Sequence, residues 1–169
     1  MDLLMRSHAD GRESGLSIVE LLVLVIITGG VLAAWLPAFR GHTQSANLES
    51  ASEAVAGTLK LARQRSVATS NDVVVVFDAA NGTFYMFEDS DGDGVHDKGE
   101  TKSGSYSVPR RVTMGAVSFA NDQVTFSPLG SASETGSVVL VNSQDRAKRI
   151  DLTAATGVVY VSEVYAYRE

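Results

Sequence analysis

An apolar run near the N-terminus restricts the fold of this chain more than any other feature. The run covers residues 16–36, and its only ionisable side chain is that of Glu20. Its length approaches the roughly 20 residues that an α-helix needs to cross a bilayer. Because an isolated carboxylate inside a bilayer is costly, we expect Glu20 to have a dedicated cationic partner on another subunit. The alternative is an uncleaved signal anchor in which Glu20 is incidental.

Composition limits what the rest of the chain can be. The 169 residues leave room for one soluble domain beyond the apolar run, and a hydrophobic content of 44% indicates a globular protein. The absence of cysteine excludes disulfides, thiolate metal sites and thiol nucleophiles. A net charge of -6 argues against general attraction to nucleic acid or anionic lipid. No catalytic triad or phosphate-binding glycine loop is recognisable, so we do not expect an enzyme.

A small residue that suits a cleavage site precedes the apolar run. Secretory signal peptides instead place their small residues after the apolar segment, which is then removed. Here Gly15 comes directly before Leu16. Cleavage at that junction would leave the apolar segment on the mature chain and create a new α-amino group on Leu16. Such a cation can pair with Glu20 of a neighbouring subunit.

This junction resembles the class III signal of type IV pilins and type II secretion pseudopilins. The matching residues are Gly15 and the segment Leu16-Ser17-Ile18-Val19-Glu20 that opens the apolar run. The resemblance implies that a prepilin peptidase cuts between Gly15 and Leu16 and methylates the amino group of Leu16. It also implies that Glu20 takes part in the assembly of subunits into a filament.

The order of the predicted elements indicates an α+β fold. Residues 1–15 are the predicted leader, 16–39 the transmembrane and assembly helix, and 40–70 its amphipathic continuation, with acidic residues early and basic residues late as the helix dipole favours. Residues 71–169 form a β-rich globular domain. We therefore expect a pilin-like long helix, membrane-spanning in its first half, packed on antiparallel sheet. The predicted strands are 73–77, 83–87, 105–108, 116–119, 123–126, 137–141, 148–152 and 158–161.

Four segments of the strand region carry a further resemblance: 124–132, 137–140, 148–150 and 156–159. They resemble the GspH/FimT family of H-type minor pseudopilins and related minor pilins. The resemblance implies a structural subunit of the type II secretion pseudopilus, involved in protein secretion, with other pseudopilins as partners. It implies a single-pass protein of the bacterial inner membrane with a periplasmic globular domain. The alternative is a type IV minor pilin, for pilus biogenesis or DNA uptake, that contacts DNA or a surface.

Residues 89–100 have the ligand spacing of an EF-hand calcium loop. Oxygen-bearing side chains fall at positions 1, 3, 5, 9 and 12, with glycine at 6 and a backbone carbonyl at 7. Carboxylates this dense repel one another unless a cation neutralises them. The open readings are a Ca2+ site that stiffens a loop, a solvated turn, and a membrane-anchored calcium-responsive domain outside any filament. The candidate ligands are Asp89, Asp91, Asp93, Val95, Asp97 and Glu100.

Arg146, Lys148 and Arg149 are concentrated bases in the strand region. They form a candidate contact for DNA, whose backbone attracts clustered positive charge. The alternative is a solvated strand edge, since lysine on an edge strand commonly blocks unwanted pairing. The acidity of the whole chain favours the second interpretation, and we do not expect nucleic acid as a partner.

Overall fold

The computed structural model of this chain describes residues 17–168, apart from the side chains of residues 33–43. The predicted leader, residues 1–15, and the cleavage junction between Gly15 and Leu16 therefore lie outside the described residues. The chain divides into two compact units, Met1–Arg40 and Gly41–Glu169, and each is described by itself.

The first unit contains the beginning of helix α1 (Ile18–Thr69). Ser17 directly precedes the helix, and its hydroxyl accepts a hydrogen bond from the backbone N–H of Val19, as an N-cap residue does. The large apolar side chains of residues 18–32 are exposed. Among the residues that the structure describes, no helix combines the length and the apolarity needed to cross a membrane.

Nine strands follow α1 in the described part of the chain. They are β1 (Asp72–Asp78), β2 (Thr83–Asp89), β3 (Lys102–Ser107), β4 (Val112–Val117), β5 (Gln123–Phe126), β6 (Gly136–Asn142), β7 (Arg146–Thr153), β8 (Val158–Val161) and β9 (Tyr165–Ala166). The first sheet has the strand order β3, β2, β1, β5, and the second has β4, β6, β7, β8, with β9 also paired to β7. All pairs are antiparallel. The predicted α+β architecture is confirmed.

Three strands differ from their predictions. Strand β3 begins at Lys102, before the predicted run of 105–108, and ends at Ser107. Strand β4 begins at Val112, well before the predicted run of 116–119. Val112 and Met114 are buried and alternate with exposed residues, but Gly115 interrupts the apolar pattern that predicts a strand. Strand β9 was not predicted, because its two residues are exposed and are held by pairing with Arg146 and Ala147.

One face of α1 packs against both sheets. Its buried residues recur at the three- and four-residue steps that predict an amphipathic helix, and Val55, Leu59 and Ala62 have no exposed surface. A single hydrophobic cluster joins this face to side chains of the first and second sheets. The cluster includes Leu48, Ala51, Val55, Leu59 and Ala62 of α1, Val75, Phe84 and Phe126 of the first sheet, and Leu140, Ile150 and Leu152 of the second.

Two arginines of α1 also bind the sheet side of the domain. Arg63 Nε donates a hydrogen bond of 2.9 Å to the carbonyl oxygen of Gly130. Arg65 forms an ion pair with Glu88 of β2, and its Nη1 donates to Ser103 Oγ of β3 at 2.9 Å. No basic residue lies in the last turn of α1. The interpretation that the late bases complement the helix dipole is therefore wrong, and two of them, Arg63 and Arg65, instead attach the helix to the rest of the domain.

A third attachment joins Lys148 of β7 to Glu49 of α1. Lys148 Nζ donates to Glu49 Oε2, and the lysine side chain is only 8% exposed against 50% for the glutamate. Strand β7 lies between β6 and β8, and Lys148 shares the helix-facing side of β7 with Ile150. A buried ammonium group needs a counter-charge, because desolvation disfavours its ionised form.

Glu49→Gln should lower the free energy of unfolding by about 1–3 kcal/mol, because it leaves the charge of Lys148 buried beside a neutral acceptor. Urea unfolding of the full chain in detergent at pH 7 measures this change. Glu53→Gln is the matched control, since Glu53 is an exposed carboxylate on the same helix. It should change stability by less than about 0.5 kcal/mol.

The double variant Glu49→Gln/Lys148→Met should recover most of the loss, because it removes both charges and leaves an apolar side chain of similar volume. Equal stability of the Glu49→Gln and Glu53→Gln variants would show that the buried ion pair has no role in attaching the helix.

Candidate functional site

Glu20, the predicted assembly residue, lies in the first turn of α1. Its side chain is exposed, as are those of its apolar neighbours Leu21 and Leu22. A negative charge in the first turn interacts favourably with the helix dipole. Within the described residues no cation pairs with Glu20, and the amino group of Leu16, its predicted partner on another subunit, lies outside them. The assembly role of Glu20 stays a prediction.

The acidic loop, which comprises residues 89–100, turns sharply around its first residue. Asp89 is the last residue of β2 and is only 5% exposed. Its carboxylate accepts hydrogen bonds from the backbone N–H groups of Gly92 (2.8 Å) and Gly94 (2.9 Å). Both glycines have positive φ angles, 78° and 73°, in a region that favours glycine. The glycines therefore allow the chain to wrap around the Asp89 carboxylate.

Three of the six predicted calcium ligands lie together in the acidic loop. Each of Asp89, Asp91 and Asp93 places a carboxylate oxygen within 4.8 Å of the other two. Val95 meets this group through its N–H, which donates to Asp93 Oδ1 at 2.7 Å. Three carboxylates at this separation are a suitable set of hard oxygen donors for a divalent cation. This aspartate cluster is the part of the predicted site that the structure assembles.

Glu100 closes the acidic loop and does not join the aspartate cluster. Its Oε1 accepts the backbone N–H of Ser90 at 2.9 Å, and its Oε2 accepts that of Asp97 at 3.0 Å. Both oxygens of this predicted ligand are therefore bonded to the backbone, and the side chain of Asp97 also lies outside the cluster. The six predicted ligands do not converge on one point.

His96, which stands where an EF-hand loop usually has an apolar residue, packs on the aromatic side chains of β2. Its ring lies edge-on to those of Phe87 and Tyr85, with centroid distances of 5.3 and 6.4 Å. Lys102 covers another part of Tyr85, with its Nζ 3.6 Å from the ring centroid. The acidic loop is thus held against the first sheet.

The pKa of Asp91 is raised above its ordinary value of 3.8. The hydrogen bond from the backbone N–H of Asp93 is the largest influence and lowers this pKa. Burial, the negative charges of Asp93 and Glu100, and a hydrogen bond with Asp89 all raise it and together outweigh the first. Folding therefore disfavours ionised Asp91, so the stability that this group contributes is present below its ordinary pKa of 3.8 and is lost as the pH rises through its raised pKa.

The predicted basic contact is wrong for one of its three residues. Lys148 is buried against α1 and paired with Glu49, so it lies neither on a solvated edge nor on a surface that DNA can reach. Arg149 lies on the opposite face of β7, where it pairs with Asp151 at 2.8 Å. Arg146 is exposed at the start of the strand. The structure does not bring the three bases together on one surface.

Residues 51–156, more than half of the chain, match the model of a family described as type II transport protein GspH. No curated protein sequence matches the chain. The matched range begins within α1 and ends between β7 and β8. It therefore covers most of the unit in which the helix packs against the two sheets.

Two solved structures share the fold of this chain. The minor pseudopilin EpsH from the type 2 secretion system of Vibrio cholerae aligns with a TM-score of 0.55 at 8% identity, over 69% of this chain and 96% of EpsH. The type IV minor pilin FimU of Pseudomonas aeruginosa aligns with a TM-score of 0.55 at 16% identity, over 72% of this chain and 92% of FimU. At these identities the similarity concerns the fold.

Asp91→Asn should raise the Tm of the metal-free chain at pH 7, because it removes a carboxylate whose ionisation folding disfavours. The gain should shrink as the pH falls toward 3.8, where the aspartate becomes protonated. Thermal unfolding of the full chain in detergent with EDTA measures both effects. Glu163→Gln, which removes an exposed carboxylate outside the acidic loop, should leave Tm unchanged.

Millimolar Ca2+ should raise the Tm of the wild-type chain, because a ligand that binds only the folded state stabilises it. Asp91→Asn should reduce that increase, whereas Glu163→Gln should not. An identical Ca2+ effect on the wild type and on Asp91→Asn would exclude the aspartate cluster as the binding site.

Proposed function

The chain belongs to the GspH family of type II transport proteins, and we propose that it acts as a minor pseudopilin, a structural subunit of the type II secretion pseudopilus. The family match over residues 51–156 carries this proposal, because it covers most of the helix-and-sheet unit. The fold shared with EpsH supports it. Members of this family are pseudopilus or pilus components of the cell envelope. Other subunits of the filament are the expected partners.

We propose that residues 16–39 anchor the chain once in the inner membrane, with the globular domain in the periplasm. Residues 16–36 contain one ionisable side chain, that of Glu20. The large apolar side chains of residues 18–32 are exposed within the first unit, Met1–Arg40. Apolar surface of this extent is normally covered by lipid or by another protein. In this proposal lipid covers the apolar surface while the subunit is in the bilayer, and neighbouring subunits cover it in the filament.

Assembly in this proposal depends on the cation that cleavage creates. Removal of residues 1–15 by prepilin peptidase frees the amino group of Leu16, which Glu20 of the neighbouring subunit can bind. Two unit charges about 4 Å apart attract by about 4 kcal/mol at an effective dielectric constant of about 20. The attraction requires one particular stagger between helices, so it selects the register of the filament as well as stabilising it.

A type IV minor pilin is the second candidate function, because FimU shares the fold at the same TM-score as EpsH. A DNA-contacting form of this candidate is weakened, because Glu49 already engages Lys148. In both candidates the chain acts through contacts with other subunits, and we propose a structural role without catalysis.

We also propose that the acidic loop binds Ca2+ as a stiffening ion. The converging carboxylates of Asp89, Asp91 and Asp93 support this proposal. The raised pKa of Asp91 supports it as well, because a bound cation would offset the repulsion that disfavours the ionised form. Asp97 and Glu100 complete the predicted ligand set only if Glu100 gives up its bonds to the backbone.

The mature chain should begin at N-methylated Leu16 when the protein is extracted from membranes of bacteria that contain prepilin peptidase. Mass spectrometry of the intact protein and of its N-terminal peptide measures this. Gly15→Leu should block cleavage, because a bulky side chain replaces the small residue at the junction. Gly11→Leu, a matched change within the leader, should be cut normally. An intact Met1 in the wild type would contradict the proposed processing.

Glu20→Ala should strongly impair the ability of the gene to restore secretion when it is returned to its deletion strain. Loss of the proposed ion pair should reduce secreted protein about tenfold or more, since 1.4 kcal/mol is already tenfold in an equilibrium constant. Enzyme activity of exported proteins in the medium measures secretion. Glu53→Ala, which removes an exposed carboxylate of the same helix, should restore secretion fully.

Full secretion with Glu20→Ala would rule out the proposed role of this carboxylate. If the deletion instead abolishes pilus-dependent motility or DNA uptake and leaves secretion intact, the minor pilin is the correct function.

A further inference from the structure

The second sheet ends in a strand with an open, apolar edge. Strand β8 pairs with β7 on one side, and no strand pairs with its other side in the described part of the chain. Its sequence is Val158-Val159-Tyr160-Val161, without charge, proline or a bulge. Natural proteins usually protect an edge of this kind, because its unpaired N–H and C=O groups can template another strand.

The outer edges of β3, β4 and β5 are protected, and β9, which also pairs only with β7, is just two residues long. Strand β3 carries Lys102 and also Gly104, whose φ of 63° interrupts the extended backbone. Strand β4 has a register shift at Gly115, and such bulges obstruct further pairing. The outer side of β5 is occupied by a neighbouring segment, in which Ser133 N–H donates to the Thr125 carbonyl at 2.8 Å. The edge of β8 stands apart because it has none of these features.

The hydrogen bonds show which backbone groups of β8 face outward. Ser162 N–H donates to the carbonyl of Arg149 at 2.8 Å, so this pair bonds directly across the ladder. Bonding pairs recur at every second residue of an antiparallel ladder. Tyr160 therefore directs its N–H and C=O toward β7, whereas Val159 and Val161 direct theirs to the open edge. An added strand would bond to Val159 and Val161.

A groove of about 280 Å³ borders the start of β8. Its lining combines an apolar strand side with the polar surface of α1, and includes Lys60, Arg63, Gln64, Gly157, Val158 and Val159. Gly157 has a φ of 60°, and a Cβ at this position would lie 2.4 Å from the carbonyl oxygen of Gly130. The absence of a side chain at Gly157 thus lets the turn before β8 approach Gly130 and the side chain of Arg63 closely.

The charge of the groove is opposite to that of the chain. Lys60 and Arg63 are exposed beside it, whereas the chain has a net charge of -6. No carboxylate pairs with Lys60 within the part of the chain that the structure describes. A strand laid along β8 therefore meets two cations on its helix-facing side. Carboxylates on that side would complement them, whereas lysines would be repelled.

We propose that the open edge of β8 accepts an extended, acidic segment of a second protein as an added strand. Backbone bonds to Val159 and Val161 would hold the segment, and its carboxylates would face Lys60 and Arg63. Strand addition of this kind combines backbone affinity with side-chain selectivity. A second copy of this chain fits less well, because antiparallel pairing of two β8 edges places both helices on one side and brings their cations together. The inference stands independently of the proposed secretion function.

The test uses the full chain in detergent and a short fluorescein-labelled peptide in which valine alternates with glutamate. Fluorescence anisotropy should show binding, and replacement of every glutamate by lysine should weaken it about tenfold or more, because like charges are then juxtaposed. Hydrogen–deuterium exchange measured by NMR should show slower exchange of the Val159 and Val161 amides when the acidic peptide is added.

Two variants locate the interaction. Val159→Pro removes an outward N–H that has no bond in the free chain, a position where an edge strand tolerates proline, and should abolish peptide binding. Lys60→Glu should weaken binding of the acidic peptide and strengthen that of the lysine peptide. Lys60→Glu changes an exposed side chain and leaves the core intact. Its peptide binding therefore tests the proposal even if Val159→Pro fails to fold. Arg110→Glu is the control of equal charge change outside the groove, and should leave binding unchanged.

The proposal is wrong if the acidic peptide does not bind, if both peptides bind equally, or if protection appears at another strand edge. It is also wrong if sedimentation shows that the chain alone dimerises with Val159 and Val161 protected, since the occupant is then a second copy of this chain.

Discussion

Val55, Leu59 and Ala62 lie on one face of α1 and are shielded completely from solvent. Side chains from both sheets pack over this face in one cluster, so the helix is the element that the two sheets share. Burial of each valine or leucine contributes about 1.5–3 kcal/mol. Without this face the inner sides of the two sheets would have no common core.

Apolar packing alone would allow the helix to slide or rotate on the sheets, whereas the polar attachments fix its position. Glu49 binds Lys148 of the second sheet, and Arg65 binds Glu88 of the first. A shifted helix would separate Glu49 from Lys148 and leave the buried charge of Lys148 without its partner, which is costly. The pair with Glu49 is also what allows a charged lysine to occupy a core-facing position in β7.

The helix and most strands were predictable because their patterns are local. The spacing of Leu48, Val55 and Leu59 identifies the buried face of the helix, and dense β-branched runs identify strands such as β1 and β6. The partner of Lys148 was not predictable, since it is 99 residues away in sequence and only the fold brings the two together. Strand β9 was missed for a related reason: its exposed residues carry no periodic pattern, and pairing with β7 alone defines it.

The candidate site was predictable in part. The spacing in the acidic loop identified the aspartates that converge, but it could not show that Glu100 bonds to Ser90 and Asp97 instead. Backbone donors compete with a cation for the same oxygens, and local chain geometry decides that competition. The resemblance at Gly15 concerns residues outside the described structure, so it stays a prediction from sequence.

The attachments at Glu49, Arg63 and Arg65 also have a mechanical consequence. They are spread over 16 residues of helix, which at 1.5 Å per residue is about 24 Å. A force pulling α1 along its own axis would load all of them in shear at the same moment, so they could not yield one after another. A subunit built in this way can transmit tension from its helix to both sheets without first peeling apart.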